Sequence, residues 1–411
     1  MFNILTHKRI ILGVTGGIAA YKAATLCSRL VQAGAKVDVV MTEAAQRFIS
    51  PLTFQALTHR HVYLDMFDIP GGENIPHITL ADQADLLIIA PATANTLAKL
   101  ANGLADNLLT AIALATPAPI LAAPAMETDM WKHPATQANV SKLEAWGVTL
   151  TGPAKGRLAS GAIGQGRMVE PEKIVETARI LLAETGDLAD RNLVVTAGGT
   201  REAIDPVRFI SNHSTGKMGY AIAHAARDRG ANVTLITTAS LPSPVGVKRI
   251  KVDSAQQMRD AVLKAIKLTD VLIMAAAVAD FRPVTVAEQK IKKKTDSNIG
   301  MSIDLVRTPD ILADVAMYKN HTPQKNRPRV TVGFAAESEN LLDNAEGKLK
   351  RKKLDMIVAN DISATDAGFG VDSNRVTLLF ADGTKEALPL MSKHSVAEII
   401  LDKTVALLRE T

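Results

Sequence analysis

The chain has 411 residues, 47% of them hydrophobic and only 4% aromatic, with one cysteine and a formal net charge of +5. That length exceeds one ordinary core and predicts two domains of roughly 200 residues each, while the lone Cys27 excludes an intramolecular disulfide and a cysteine-based zinc cluster. With no membrane-length apolar run and no signal-peptide core, the expected setting is cytoplasmic, without a membrane partner.

The predicted elements begin with a strand at Ile10 to Val14, then Gly16-Gly17 and a helix from Ala19 to Gln32. A strand that turns on glycines into a helix lets backbone N–H groups approach a phosphate at the positive helix end. The pair lacks the spaced three-glycine fingerprint, however, and a structural turn accounts for it as readily as a ligand. Strands follow at Val37 to Met41, Leu86 to Ala90 and Ile120 to Ala123, with helices at Ala94 to Asn102 and Thr136 to Trp146. After the third strand comes Pro91-Ala92-Thr93-Ala94-Asn95-Thr96, where side-chain donors gather at a helix start. In isolation that segment reads equally well as N-capping by Thr93. Gly152 to Arg167, rich in glycine and small residues, is expected to be a loop. A helix from Glu172 to about Glu184 ends at Gly186, and the polar stretch Asp187 to Arg191 is expected to link a domain of residues 1–190 to one of residues 191–411.

The run Leu193 to Thr200 echoes the first strand and its glycines, so a second phosphate-binding α/β unit is expected rather than a repeat array. Its later strands are predicted at Val233 to Thr237, Val271 to Ala275, Val330 to Phe334 and Met356 to Ala359. Val376 to Phe380 and Lys385 to Leu388, joined by Asp382-Gly383, should form an edge hairpin before a last helix at Val396 to Leu408. Gly216-Lys217 suggests a P-loop, but Ser211 and Met218 stand where that motif needs Gly and Ser or Thr. Lys290 to Lys294 alone reads as a solvated loop or a nucleic-acid patch. Lys348 and Lys352, four apart, share one helix face and serve either the surface or a common ligand. The positive surplus lies beyond Asp190, and the scarcity of aromatics favours a small polyanion such as a nucleotide triphosphate over DNA or RNA.

Taken together, His77 in Pro76-His77-Ile78-Thr79-Leu80, the Pro91 to Lys99 segment, Ala101 to Leu109 and Pro124-Ala125-Met126-Glu127-Thr128-Asp129-Met130-Trp131 resemble the flavin-containing cysteine decarboxylases, in their phosphopantothenoylcysteine decarboxylase branch. The resemblance covers residues 8 to 185. It implies a Rossmann-like three-layer domain, a bound FMN held by Gly16, Gly17, Thr42, Pro91, Thr93, Asn95, Thr96 and Met126, trimeric packing that completes each site, and His77 as catalytic base. Loss of CO2 from an amide-linked cysteine leaves a carbanion without an electron sink; oxidation of the thiol to a thioaldehyde supplies one, and the electrons return afterwards, so no net redox change occurs. The chain departs from the family at two positions: Glu127 replaces an Asn thought to hold the substrate carboxylate, and Ser160 replaces a cysteine that acts as proton donor. Those departures raise the alternative of a non-catalytic flavin module.

From residue 192 to about 405 the chain resembles phosphopantothenate-cysteine ligase, again a Rossmann-like three-layer domain. The motifs are Thr196 to Gly219, Ala275 to Phe281, Lys290 to Lys293, Thr308 to Leu312, Gly333 to Glu337 and Ala359 to Asp361. Bacterial bifunctional enzymes join the two activities in this order. The resemblance implies that 4'-phosphopantothenate attacks CTP to give an acyl-cytidylate, from which cysteine displaces CMP, with Mg2+ and basic residues neutralising the charge. It places Ala275, Ala276, Asp280, Lys290, Pro309, Asp310, Ile311, Leu312, Phe334, Lys348 and Lys352 at the CTP site, with Asn212 and Arg208 at the acyl-cytidylate. Dimeric packing of this half and trimeric packing of the first imply a dodecamer. No nucleic-acid partner is expected.

Overall fold

The computed structural model describes residues 3–67, 76–292, 302–337, 341–361 and 370–410. It divides into two compact units that part between Ala183 and Glu184.

The first unit is built on a six-stranded sheet in the order Val62–Tyr63, Lys36–Met41, Arg9–Val14, Leu86–Ala92, Ile120–Pro124, Thr149–Leu150, with every neighbouring pair parallel. Successive side chains of a strand point to opposite faces, and both faces here are covered. Ile10, Leu12 and Val14 pack with Leu26 and Leu30 of helix Ala20–Gln32 and Ile174 of helix Pro171–Ala183. Ile11, Leu87 and Ile89 pack on the other side with Leu80, Leu97, Leu109 and Ile112, from helices Pro76–Gln83, Ala94–Ala101 and Leu108–Ala115. That two-sided burial explains why the strands read as continuous apolar runs rather than alternating ones.

The second unit repeats the plan. Its eight-stranded sheet runs Lys248–Lys251, Asn232–Thr237, Asn192–Ala197, Val271–Met274, Val330–Glu337, Met356–Asp361, Val376–Phe380, Lys385–Ala387; the first six are parallel and the last two antiparallel. Gly383 takes a φ of 90° in the turn of the closing hairpin, a conformation that costs glycine little. In both sheets the first strand lies between the second and the fourth, so the order in which strands are laid down reverses there while the strands stay parallel. Open α/β sheets bind ligands in the crevice this reversal leaves beyond the carboxyl ends of the strands.

Two segments differ from expectation. Gly152 to Arg167 is not a loop throughout: Ala154–Arg157 and Ile163–Arg167 form an antiparallel hairpin. Its glycines mark close approach instead of a turn, for a Cβ at Gly164 would stand 2.0 Å from Thr128 Oγ1 and one at Gly166 2.1 Å from the Met126 carbonyl oxygen. The polar stretch Asp187 to Arg191 docks on the second unit: Leu188 is fully buried in that core, its N–H bonds the Arg229 carbonyl at 2.9 Å, and Asp187 pairs with the Arg229 guanidinium. Lys293 and Lys294 lie outside the described residues.

Candidate functional site

A cavity of about 930 Å³ opens at the reversal point of the first sheet. Gly16, Gly17, Thr42, Thr93, Asn95, Thr96 and Met126 line it, as do Lys22, Asp106, Glu127, Arg157 and Leu158. Thr15 Oγ1 donates to the Pro91 carbonyl at 2.7 Å and accepts from the Thr93 N–H at 3.3 Å, tying the glycine turn to the start of helix Ala94–Ala101. Pro91 thus braces the cavity without lining it. Thr93 and Thr42 each cap the helix that follows, accepting from the N–H groups of Thr96 and Ala45, so capping and cavity lining are performed by the same residues. Gly16 permits the tight turn: a Cβ there would meet Ala44 Cβ at 2.4 Å.

Charges around this cavity are mostly paired. Lys99 Nζ binds Asp106 Oδ2 at 2.6 Å and holds that carboxyl below its ordinary range. Lys22, almost fully buried, reaches the Met168 carbonyl and Glu170, each at 3.0 Å; the bond from Lys22 likewise lowers the Glu170 carboxyl. Ser160 Oγ, at the hairpin tip, donates to Glu127 Oε1 at 3.0 Å. The two positions at which the sequence departs from the decarboxylase pattern therefore meet in space. Cys27 is buried in the core, and burial pushes its thiol up to about 12. Neither His77 nor Ser160 is among the residues that line the cavity. His77 sits half-buried on helix Pro76–Gln83, and its Nδ1 finds no hydrogen-bond partner among the described residues.

The second sheet has its own cavity, of about 810 Å³, at the equivalent place. Asn212, Ala275, Ala276, Asp280, Pro309, Asp310, Ile311, Leu312, Phe334, Lys348 and Lys352 all line it. The loop Ala275 to Ala279 is fixed by two threonines of the glycine-bearing segment: Thr196 Oγ1 accepts from the Ala276 N–H at 3.1 Å and Thr200 Oγ1 from that of Ala279 at 2.9 Å. Asn212 Nδ2 donates to the Ala277 carbonyl at 2.9 Å, and Thr308 Oγ1 to that of Ala279 at 2.5 Å, which seats Pro309 to Leu312 beside it. Lys348 Nζ donates to the Phe334 carbonyl at 2.7 Å. Lys352, just past helix Leu341–Arg351, pairs with Asp310. Burial would raise the Asp310 carboxyl, but the Lys352 ammonium and the Ala313 N–H that it caps hold it below the usual range.

Arg208 and Lys290 are not among the lining residues. Asp205 explains their placement. Its carboxylate accepts from the N–H groups of Val207 and Arg208, both at 2.8 Å, and of Ile291 at 3.2 Å, so it ties the lysine-bearing segment to the Arg208 turn. Burial alone would raise that carboxyl; the three N–H groups lower it. Sequence reading missed Asp205, and also Ser214, Thr215, Lys217, Asn374 and Lys393, which line the cavity. Lys217 Nζ holds Asp372 at 2.7 Å, and burial followed by the neighbouring Lys217 pulls Lys393 below an ordinary lysine. Asp205, Ser214, Thr215 and Lys217 lie within the Thr196 to Gly219 motif without being singled out there, and Gly216-Lys217 fits no P-loop.

Two doubly wound units, each with a cavity at its reversal point, define an α/β protein of two Rossmann-like domains. Residues 3–182 match the family model described as Flavoprotein, and residues 188–408 match the DNA/pantothenate metabolism flavoprotein C-terminal domain. The chain is 49% identical over 412 residues to the coenzyme A biosynthesis bifunctional protein CoaBC of Bacillus subtilis, covering 99% of each. Among solved structures, the C-terminal domain of a CoaBC protein is 38% identical with a TM-score of 0.45, spanning 55% of this chain and all of that one. The FMN binding protein AtHal3 is 39% identical with a TM-score of 0.38, spanning 42% of this chain and 95% of that one. The chain belongs to the bifunctional coenzyme A biosynthesis family, in which a phosphopantothenoylcysteine decarboxylase is joined to a phosphopantothenate-cysteine ligase.

Proposed function

We propose that the two cavities are the two active centres of this enzyme, the first holding FMN and 4'-phosphopantothenoylcysteine and the second CTP, 4'-phosphopantothenate and cysteine. The observation that carries the reading is the convergence of separated motifs on one cavity in each unit: seven of the eight residues expected at FMN, and every residue expected at CTP except Lys290, are lining residues.

The first cavity suits FMN chemically. Its volume falls within the roughly 300–1,000 Å³ of small-molecule sites, and backbone N–H groups of the Gly16-Gly17 turn, with Thr93, Asn95 and Thr96, offer donors for a phosphate. Bound there, FMN supplies reversible two-electron oxidation of the substrate thiol. Asn95 and the threonines orient, and Met126 gives the apolar contact. His77, away from its own chain's cavity with an unsatisfied Nδ1, suits a base that serves the cavity of a neighbouring copy; this supports trimeric packing and, with dimeric ligase units, a dodecamer.

In the second cavity Lys348 and Lys352 stand where phosphate charge develops, Asp280 is exposed at the rim, and Asn212 reaches the alanine loop. Mg2+ is commonly held by one or two carboxylates together with substrate phosphates, so Asp280 is the residue we assign to it. Arg208 and Lys290, held together through Asp205, lie on a segment that would complete the site over bound nucleotide. Residues 1–190 and 191–411 are the two functional domains, in a cytoplasmic enzyme that uses neither membrane nor nucleic acid. Purified protein supplied with 4'-phosphopantothenate, cysteine, CTP and Mg2+ should form 4'-phosphopantetheine, measured by mass spectrometry. Accumulation of 4'-phosphopantothenoylcysteine would refute the first centre and leave the second.

A further inference from the structure

Three carboxylates line the first cavity: Glu43, Asp106 and Glu127. Asp106 is committed to Lys99, and Glu43 is exposed. Glu127 differs from both. It is half-buried and occupies the N-cap position of helix Thr128–Lys132, where its side chain bonds none of that helix's amides. No lysine or arginine pairs with it among the described residues. Among the described residues its side chain has one hydrogen bond, from the Ser160 hydroxyl, which in turn accepts from the Ala162 N–H at 3.4 Å. The position is enforced by the hairpin, since Gly164 and Gly166 allow the strand to press against the backbone of residues 126–128 and the Met126 N–H bonds the Gly166 carbonyl at 2.9 Å. The only thiol of the chain, Cys27, is buried elsewhere.

The decarboxylation needs an acid. Once the substrate thiol is oxidised to a thioaldehyde, the bond to the carboxylate breaks, CO2 leaves, and the electron pair stays as a carbon–carbon double bond conjugated to sulfur. The carbon that lost CO2 must gain a proton before the thiocarbonyl can be reduced. We propose that Glu127 is the catalytic acid that gives this proton and that Ser160 is its positioning residue. The Glu127 O–H bond breaks, the new C–H bond forms with the pair of the carbon–carbon double bond, and the sulfur end becomes C=S again. The two electrons removed from the thiol at the start then reduce it, so no outside oxidant or reductant enters. The carboxylic acid form is the one proposed to act, and in that form Glu127 can share the cavity with the carboxylate that the substrate brings without like-charge repulsion. Ser160, exposed at the hairpin tip, stabilises the resulting carboxylate and connects it to water, which restores the proton.

The inference rests on the first cavity being the flavin and substrate site, and the test separates the two. The full-length protein, with Glu127→Gln, Glu127→Asp and Ser160→Ala variants, is checked for FMN affinity of the apoprotein and then mixed without oxygen with 4'-phosphopantothenoylcysteine. Flavin absorbance and product mass are followed. Wild type should bleach and recover. Glu127→Gln should bind FMN normally and bleach within about threefold of the wild-type rate, then recover at least about a hundredfold more slowly, the usual worth of a general acid. A species two hydrogen atoms lighter than 4'-phosphopantetheine should accumulate. Glu127→Asp should recover in part, and Ser160→Ala should slow recovery alone. Recovery of Glu127→Gln at the wild-type rate overturns the proposal, as does a variant that holds FMN yet never bleaches, because Glu127 would then act before CO2 leaves. Should Glu127→Gln lose FMN, unimpaired recovery in both remaining variants overturns it. A wild type that binds FMN and never bleaches removes the underlying reading as well.

Discussion

Adding one methyl group at each of the two adjacent glycines separates a structural turn from a ligand cradle. At Gly16 a Cβ would lie 2.4 Å from Ala44 Cβ and 2.8 Å from its carbonyl carbon. Relief to ordinary contact requires a shift of roughly 1 Å between the turn and helix Glu43–Gln46, an overpacking cost of about 1–3 kcal/mol. At Gly17 the nearest atom outside its chain neighbours is Thr93 Cγ2 at 3.8 Å, an ordinary contact. Gly17→Ala should therefore leave the stability of the apoprotein within about 0.5 kcal/mol of wild type. If a phosphate lies against this turn, the same methyl occupies its space, and FMN affinity should fall by about 5- to 150-fold, corresponding to a loss of about 1–3 kcal/mol. Thermal unfolding of the apoproteins and fluorescence titration with FMN measure the two quantities separately. An unchanged FMN affinity in Gly17→Ala would refute the cradle and leave Gly16-Gly17 as a turn that serves only helix packing.

Two further outcomes follow from the charge environments. Because the Asp310 carboxyl is lowered in the folded chain, with Lys352 among the causes, it contributes stability that is present above the unfolded value near 3.9 and is lost as pH falls through the lower folded value. Wild type should thus exceed Lys352→Met in stability above about pH 4, with the gap closing on acidification in chemical-denaturation curves; a gap that widens in acid would contradict the pairing. Cys27, with its thiol pushed up to about 12, should resist alkylation at mildly alkaline pH in the native protein and react on unfolding, as intact mass would report.

Most of the two sheets was legible in the sequence because their strands, buried on both faces, are short runs rich in Val, Ile and Leu, and the first strand of each leads into a glycine turn. What escaped was structure made by contact rather than by local preference. The hairpin at Ala154–Arg157 and Ile163–Arg167 looked like a loop because its glycines are required by residues 126–128 pressing on them, a constraint from thirty or more positions away. Lys393 and Asn374 reach the second cavity from the last helix and a two-residue strand, with no motif around them. Asp205 was hidden for a similar reason: its partner Ile291 is 86 residues distant. Conversely, residues named through family resemblance mostly gathered on the cavities, whereas His77, Pro91, Ser160, Arg208 and Lys290 are not among the lining residues.

The edges of the two sheets carry a consequence for assembly and solubility. In the first, both outer strands are only two residues long, Val62–Tyr63 and Thr149–Leu150. In the second, the outer strands are Lys-Arg-Ile-Lys and Lys-Glu-Ala. Stubby or charged borders offer a poor template for a strand from another molecule. Growth of either main sheet by a strand from another molecule is therefore disfavoured, so a crowded solution should resist forming fibres that propagate along these two borders.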